Sequence, residues 1–159
     1  MATNPYAKFL GDASAREVID ETAGRLKFLI ERLGSHVEQS PAPGKWSARQ
    51  IVCHLADCEI VFAFRLRQAL SQEYHVIQPF DQDLWANQYD GCDTHTALRV
   101  FAAVRDWNVR LITAMRPHDL AKKLTHPERG EMTVAVVVET MAGHDLNHLA
   151  QIEAIAERA

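Results

Sequence analysis

The sequence predicts an all-α fold: a four-helix bundle with long crossover connections. Three observations point there. Four segments carry apolar residues spaced three and four apart, the period of an amphipathic helix. Cap-type residues and Pro or Gly breakers fall at their ends. No set of alternating segments suggests a sheet.

The first helix opens at Ser14, with Glu17 at capping-box spacing. Its face is Val18, Ile19, Thr22, Leu26, Leu29, Ile30 and Leu33, and Gly34 is a natural stop. The segment EQSPAPG then reads as a loop. In the second helix, Ser47 and Gln50 form another capping box, and Trp46 and Ile51 are placed as a hydrophobic staple across it. Ile51, Leu55, Cys58, Phe62, Arg65, Leu66 and Ala69 trace its face. The aromatic and polar run QPFDQDLWANQYDG reads as an ordered loop with a helical turn, with Trp85 as a pocket wall.

The third helix starts near Asp93 or Thr94, buries Ala97, Phe101, Val104, Asn108, Leu111 and Met115, and ends before Pro117. The connection HDLAKKLTHPERGEMT has room for a short hairpin around ERGE. The last helix begins near Thr133 and presents Val134, Val137, Met141, His144, His148, Ile152 and Ile155. Its VAVVV run suits a strand by propensity, but the helical period persists through Ile155 and decides for helix. Both outer connections are long enough to cross the bundle.

Size and composition fit one domain over residues 1–159. Of 159 residues, 47% are apolar and 24% charged, the balance of a soluble globular protein. A net charge of −4 argues against nucleic-acid binding, which favours a basic surplus. No run reaches the ~20 apolar residues of a membrane span. The N-terminal stretch lacks the pattern of a signal peptide. Cys53, Cys58 and Cys92 lack framework spacing and read as reduced thiols of a cytoplasmic protein.

Two titratable residues break the apolar logic. On a helical wheel with His144 at 0°, His148 falls at ~40° and Val137 and Ile155 at ~20°. Both rings therefore lie inside the apolar stripe, one turn apart. Buried imidazoles need partners for their ring nitrogens, and a divalent metal satisfies several at once. Backbone-bonded core histidines are the plain alternative. His54 also points into its helix's apolar face, with Cys58 at ~40° from it. One imidazole from one helix and two from another would cap a metal with three nitrogens and leave a coordination position open, as in catalytic zinc sites.

The stretches WSARQIVCHLADCE and HDLNHLAQI, on a four-helix pattern, resemble the DinB-like superfamily of bacterial metalloproteins. The resemblance spans nearly the whole chain. It implies a histidine triad at His54, His144 and His148, holding zinc or nickel, often in a homodimer. Some such proteins are transferases using a low-molecular-weight thiol, and others are called metal-dependent hydrolases. The expectation is a metal-dependent enzyme acting on small molecules by thiol transfer or hydrolysis. The alternative is a non-catalytic, metal-stabilised bundle serving as a sensor or stress-response module.

Four further residues are candidates near that site. Cys58 reads as a small buried hydrophobe, with a fourth-ligand role as its alternative. Asp57, like Glu59 and Asp145, lies off the histidine faces and reads as solvated or as a partner of the ligands. Arg65 lies on the inner face of the second helix. It reads as a snorkelling or paired arginine, or as an anchor for a substrate carboxylate or phosphate. Gln151, one turn past His148, is placed to hydrogen-bond near the site. His36, His75, His95, His118 and His126 read as surface residues.

Overall fold

The computed structural model describes residues 3–158. Its helices are α1 (Ala7–Leu10), α2 (Ala15–Leu33), α3 (Ala48–Ser71), α4 (Gln82–Ala86), α5 (Thr94–Ala114), α6 (Pro117–Leu120) and α7 (Val134–Ala156). The four long ones are α2, α3, α5 and α7, and they form the bundle.

Side-chain caps fix where these four begin. Ser14 accepts from the Glu17 amide, Asp93 from Thr96 and Thr133 from Val136. Ser47 and Gln50 close a full capping box, each side chain bonded to the other's backbone N–H. Such caps satisfy amides that the helix leaves without partners. Gly34 ends α2 at φ 52°, a conformation that a side chain would resist.

The packing is not sequential. Helix α2 lies against α7 and α5, and α3 lies against α5 and α7. Consecutive bundle helices α2 and α3 therefore sit on one diagonal, and α5 and α7 on the other. The connections 34–47 and 115–133 make these two crossings, as their lengths allow. Direction follows from the long-range contacts. Arg105 bonds both the Ile19 carbonyl and Asp145, while Arg25 pairs with Glu153, so α2 runs parallel to α7. Glu59 meets Asn108 and Arg105 near the middle of α3, and Arg49 reaches Cys92 at its start, so α3 runs parallel to α5.

The second crossing carries the hairpin that the sequence had room for. Strand β1 (Lys123–His126) pairs antiparallel with β2 (Gly130–Thr133). Gly130 turns it at φ 79°. The incoming segment bridges to it, with Ile77 donating to the Thr125 carbonyl and Thr125 to that of His75.

The core has two apolar halves. One gathers Leu26, Leu33, Ile51, Leu55, Phe101, Leu149 and Ile152. The other gathers Ile19, Phe62, Leu66, Ile112, Leu124, Val137 and Met141. Along each long helix the buried polar residues fall between these halves. They are Thr22 on α2, His54 and Glu59 on α3, Arg105 and Asn108 on α5, and His144, Asp145 and His148 on α7. The bundle thus encloses a polar layer at mid-height.

Two expectations about α5 are corrected. Its inner face carries Arg105 and Ile112, where Val104 and Leu111 were expected. Ala97, Phe101, Asn108 and Met115 are buried as expected, so the stripe shifts by one residue only at these two positions, at the first of which Arg105 points at carboxylates on two other helices.

Candidate metal centre

Helices α3 and α7 run antiparallel, which brings the first third of α3 against the second half of α7. His54 and His144 meet there with Nε2 atoms 3.1 Å apart. Cys58, one turn beyond His54, places Sγ 3.4 Å from the Nε2 of His54 and 3.9 Å from that of His144. The three residues are buried, and their donor atoms all lie within 4.8 Å of one another. A tetrahedral zinc, with bonds of about 2.0 Å to nitrogen and 2.3 Å to sulfur, would hold such donors about 3.3 and 3.5 Å apart. The N···N spacing of 3.1 Å falls about 0.2 Å short of the first value and the S···N spacings of 3.4 and 3.9 Å straddle the second, so the donor set fits a divalent ion.

His148 stands beside this set. Its ring centroid is 4.5 Å from that of His144 and 4.9 Å from that of His54. Its Nδ1 faces Gln151 Oε1 at 3.3 Å. All three histidine rings thus pack together, while the converging donor atoms are those of His54, Cys58 and His144.

Burial controls the protonation. It pushes His54 down to about 3, helped by repulsion from His148. It pushes His148 down to about 4, against an opposing pull from Gln151 and Asp145. His144 is driven well below its ordinary value, first by burial and then by the other two rings. All three are neutral imidazoles at neutral pH, the form that binds metal. The Cys58 thiol is pushed up, chiefly by burial, so it keeps its proton unless a cation displaces it. The Nδ1 of His144 is buried without a hydrogen-bond partner among the described residues.

Aromatic rings wall the donors. Trp46 lies 4.9 Å from His54 and stacks at 6.5 Å on His148. Tyr6 meets His144 edge-on at 5.3 Å, and Phe62 meets it at 6.2 Å. On one side the wall opens into a cleft of about 190 Å³ whose lining includes His54, Cys58, His144, Arg65, Glu128 and Arg129.

Behind the donors lies an ion cluster. Arg105 pairs with Glu59 at 2.7 Å and with Asp145 at 2.6 Å. Asn108 donates to the other Glu59 oxygen at 2.8 Å. Glu59 and Asp145 were expected to be solvated or to back the ligands. The structure buries both against Arg105 instead, because α3 and α7 each pack against two neighbours and bury a wider arc than one stripe. Arg105 and Asn108 are the polar residues that the sequence reading left without a role. An arginine one residue from an apolar stripe, with Asn three positions on, was the available signal.

Two of the five histidines expected at the surface are buried as well. His75 and His126 are covered where segment 72–81 lies along β1. Of the other candidates, Arg65 lines the cleft beside His54 and His144, and Gln151 touches His148. Asp57 accepts from the Tyr89 hydroxyl at 2.9 Å and lines a separate, more apolar cavity of about 580 Å³. Trp85 borders that cavity too, packed on Phe80 with centroids 4.6 Å apart.

Comparison with known proteins agrees with this architecture. "Putative metal-dependent hydrolase OB0413" of Oceanobacillus iheyensis is 32% identical over 146 residues, 86% of this chain and 84% of its own length. "Putative metal-dependent hydrolase OB0782" of the same organism is 29% identical, covering 82% of this chain and 76% of its own. The solved structure of YfiT from Bacillus subtilis, described as a probable metal-dependent hydrolase with an unusual four-helix bundle topology, superposes with a TM-score of 0.84. It covers 99% of this chain and 89% of its own at 22% identity, a likeness of fold. No helix among the described residues is long and apolar enough to cross a membrane. A family model described as the DinB superfamily matches residues 15–152, and the chain belongs to that superfamily.

Proposed function

We propose that the protein is a metal-dependent hydrolase of small molecules, with zinc or nickel held by His54 and His144 and completed by His148. One observation carries the reading: neutral, buried donors from α3 and α7 converge within 4.8 Å at the wall of a cleft. The names of the relatives from Oceanobacillus iheyensis support the reaction class.

A bound divalent ion supplies Lewis acidity, bringing the pKa of water near 7 or favouring the thiolate of a small-thiol cofactor. The chain's own groups do the rest. Trp46 and Phe62 shield the histidines from bulk water. Tyr6 lines the cleft with a hydroxyl whose pKa burial raises, so it stays a hydrogen-bond donor for a developing oxyanion. Glu128, the carboxylate on the cleft lining, is placed to accept a proton.

Cys58 favours a second reading. A sulfur 3.4 Å from His54 Nε2 is close enough to serve as a fourth protein ligand. Such a site would be closed, and the bundle a metal-stabilised binding module.

The test is metal content of protein purified without a nickel column, beside His54→Ala, followed by ester and amide hydrolysis and then thiols with electrophiles. About one zinc or nickel per chain, lost in the variant, together with metal-dependent turnover, is the expected result. Metal without turnover of any substrate class would favour the closed module. Absence of metal from both proteins, with no uptake on adding zinc, would overturn both readings.

A further inference from the structure

We propose that Arg65 and Arg129 form an anion clamp on the metal cleft, so that the substrate carries a carboxylate or phosphate beside its scissile bond. The substrate assignment rests on the metal reading above; the clamp itself does not.

Arg65 lies on the same face of α3 as the donors, between them on the helical wheel, ~20° from His54 and ~20° from Cys58. It lines the cleft with them. One guanidinium nitrogen donates to the Gln78 carbonyl at 3.1 Å. Phe80 lies 5.7 Å beneath the group. These contacts fix the side chain without neutralising it. Its Nε is buried with no partner, and no carboxylate lies within 4.0 Å among the described residues. A largely desolvated guanidinium without a counter-charge is costly, and an oxyanion is its natural complement.

Arg129 comes from the hairpin turn and lines the same cleft. The turn is held firmly: the Glu128 amide donates to His126 Nδ1 at 3.2 Å, and the Arg129 amide to the His126 carbonyl at 3.2 Å. Arg129 forms no ion pair among the described residues either. Burial is the main cost for Arg65, and repulsion from Arg129 adds to it. Glu128 lines the same cleft; it is exposed, as Arg129 is, and pairs with neither arginine among the described residues. Two unpaired guanidinium groups beside a metal-ligand cluster suit a compact anion whose other end reaches the donors. A cleft of about 190 Å³ restricts that ligand to a few heavy atoms beyond the anionic group.

The experiment is titration calorimetry of the full chain, zinc-loaded and zinc-stripped, with succinate and with inorganic phosphate. Wild type is compared with Arg65→Gln, Arg129→Gln and Arg65→Lys, with zinc stoichiometry measured on each. The expected result is that both glutamine variants weaken binding about tenfold or more, as for loss of a charged hydrogen bond, while zinc content is unchanged. Arg65→Lys should recover part of the affinity, since the charge remains but the fork is lost. The tighter of the two anions names the substrate's group. Loss in the zinc-stripped protein as well separates the clamp from direct anion–metal contact. Affinities within twofold of wild type in both glutamine variants, or no binding of either anion by wild type, would overturn the clamp and leave the metal reading standing. Clamp behaviour in a wild type that takes up no metal would sink the hydrolase and keep the clamp.

Discussion

Arg105 holds Asp145 by two prongs, with Nη1 2.6 Å from Oδ2 and Nη2 3.2 Å from Oδ1, both side chains 2% exposed. The same guanidinium takes Glu59 at 2.7 Å, so one cation on α5 ties α3 to α7 next to His144. The cluster carries one positive and two negative charges when ionised. Removing the arginine would leave two buried carboxylates facing each other. Arg105→Ala is expected to cost about 3–5 kcal/mol of stability, the usual penalty for stranding buried charge. The midpoint of urea unfolding measures it. A loss under about 1 kcal/mol would mean that water already screens the cluster.

Two glycines in helices should respond oppositely to the same substitution. A Cβ on Gly143 would lie 2.7 Å from both Cβ and the backbone oxygen of Tyr6. That contact is backbone-bound: the Tyr6 amide donates to Asn4 Oδ1 at 2.8 Å, and Asn4 donates to the Glu139 carbonyl at 2.9 Å. Gly143→Ala must push the N-terminal segment off α7 and Tyr6 off His144. It should destabilise by about 1–3 kcal/mol despite the better helix propensity of alanine. Gly24, within α2, has nothing within 4 Å of its virtual Cβ, so Gly24→Ala should stabilise by about 0.5–1 kcal/mol. Thermal melts of the pair check the contrast, and equal shifts would contradict the close approach.

Cobalt substitution reports whether sulfur joins the donor set. With Cys58 Sγ 3.4 Å from His54 Nε2 and 3.9 Å from His144 Nε2, a cobalt-loaded protein should show a sulfur-to-metal charge-transfer band in the near ultraviolet. Cys58→Ala should abolish the band and weaken metal binding, and His148→Ala should keep the band while losing affinity. A spectrum without the band would return Cys58 to the role of a small buried side chain.

Much of this was legible in sequence, for a physical reason. Caps and apolar spacing are local, so Ser14, Ser47 with Gln50, Asp93 and Thr133 mark the helix starts without reference to anything distant. The inward direction of His54, His144 and His148 is also a property of single helices. What escaped depends on partners far along the chain. Arg105 is buried because Glu59 and Asp145 wait for it 46 and 40 positions away. His75 and His126 are covered because a loop lies along a strand with no periodic signal to announce it. Helix α1 is four residues long, too short for a period, and is held by its fit at Gly143.

The three buried histidines make acid the weak point of the metal-free protein. Their folded pKa values lie below the ordinary value of about 6.5: His54 at about 3, His148 at about 4, and His144 lower still by direction. In the unfolded chain each ring takes up a proton as pH falls through about 6.5, while in the folded chain it does not. The unfolded state then binds more protons, so stability falls with falling pH. Each ring contributes a slope of up to about 1.4 kcal/mol per pH unit below that point. The slope from His148 ends near pH 4 and that from His54 near pH 3, where the folded rings also protonate. Above pH 7 these residues make no difference. Urea unfolding of zinc-stripped protein from pH 7.5 down to 4.5 should therefore show a steepening loss that begins near 6.5. Double replacement of His54 and His144 by Leu should reduce it to the slope of His148 alone. A profile level to pH 5 in the zinc-stripped protein would mean that the rings are reached by water and titrate normally.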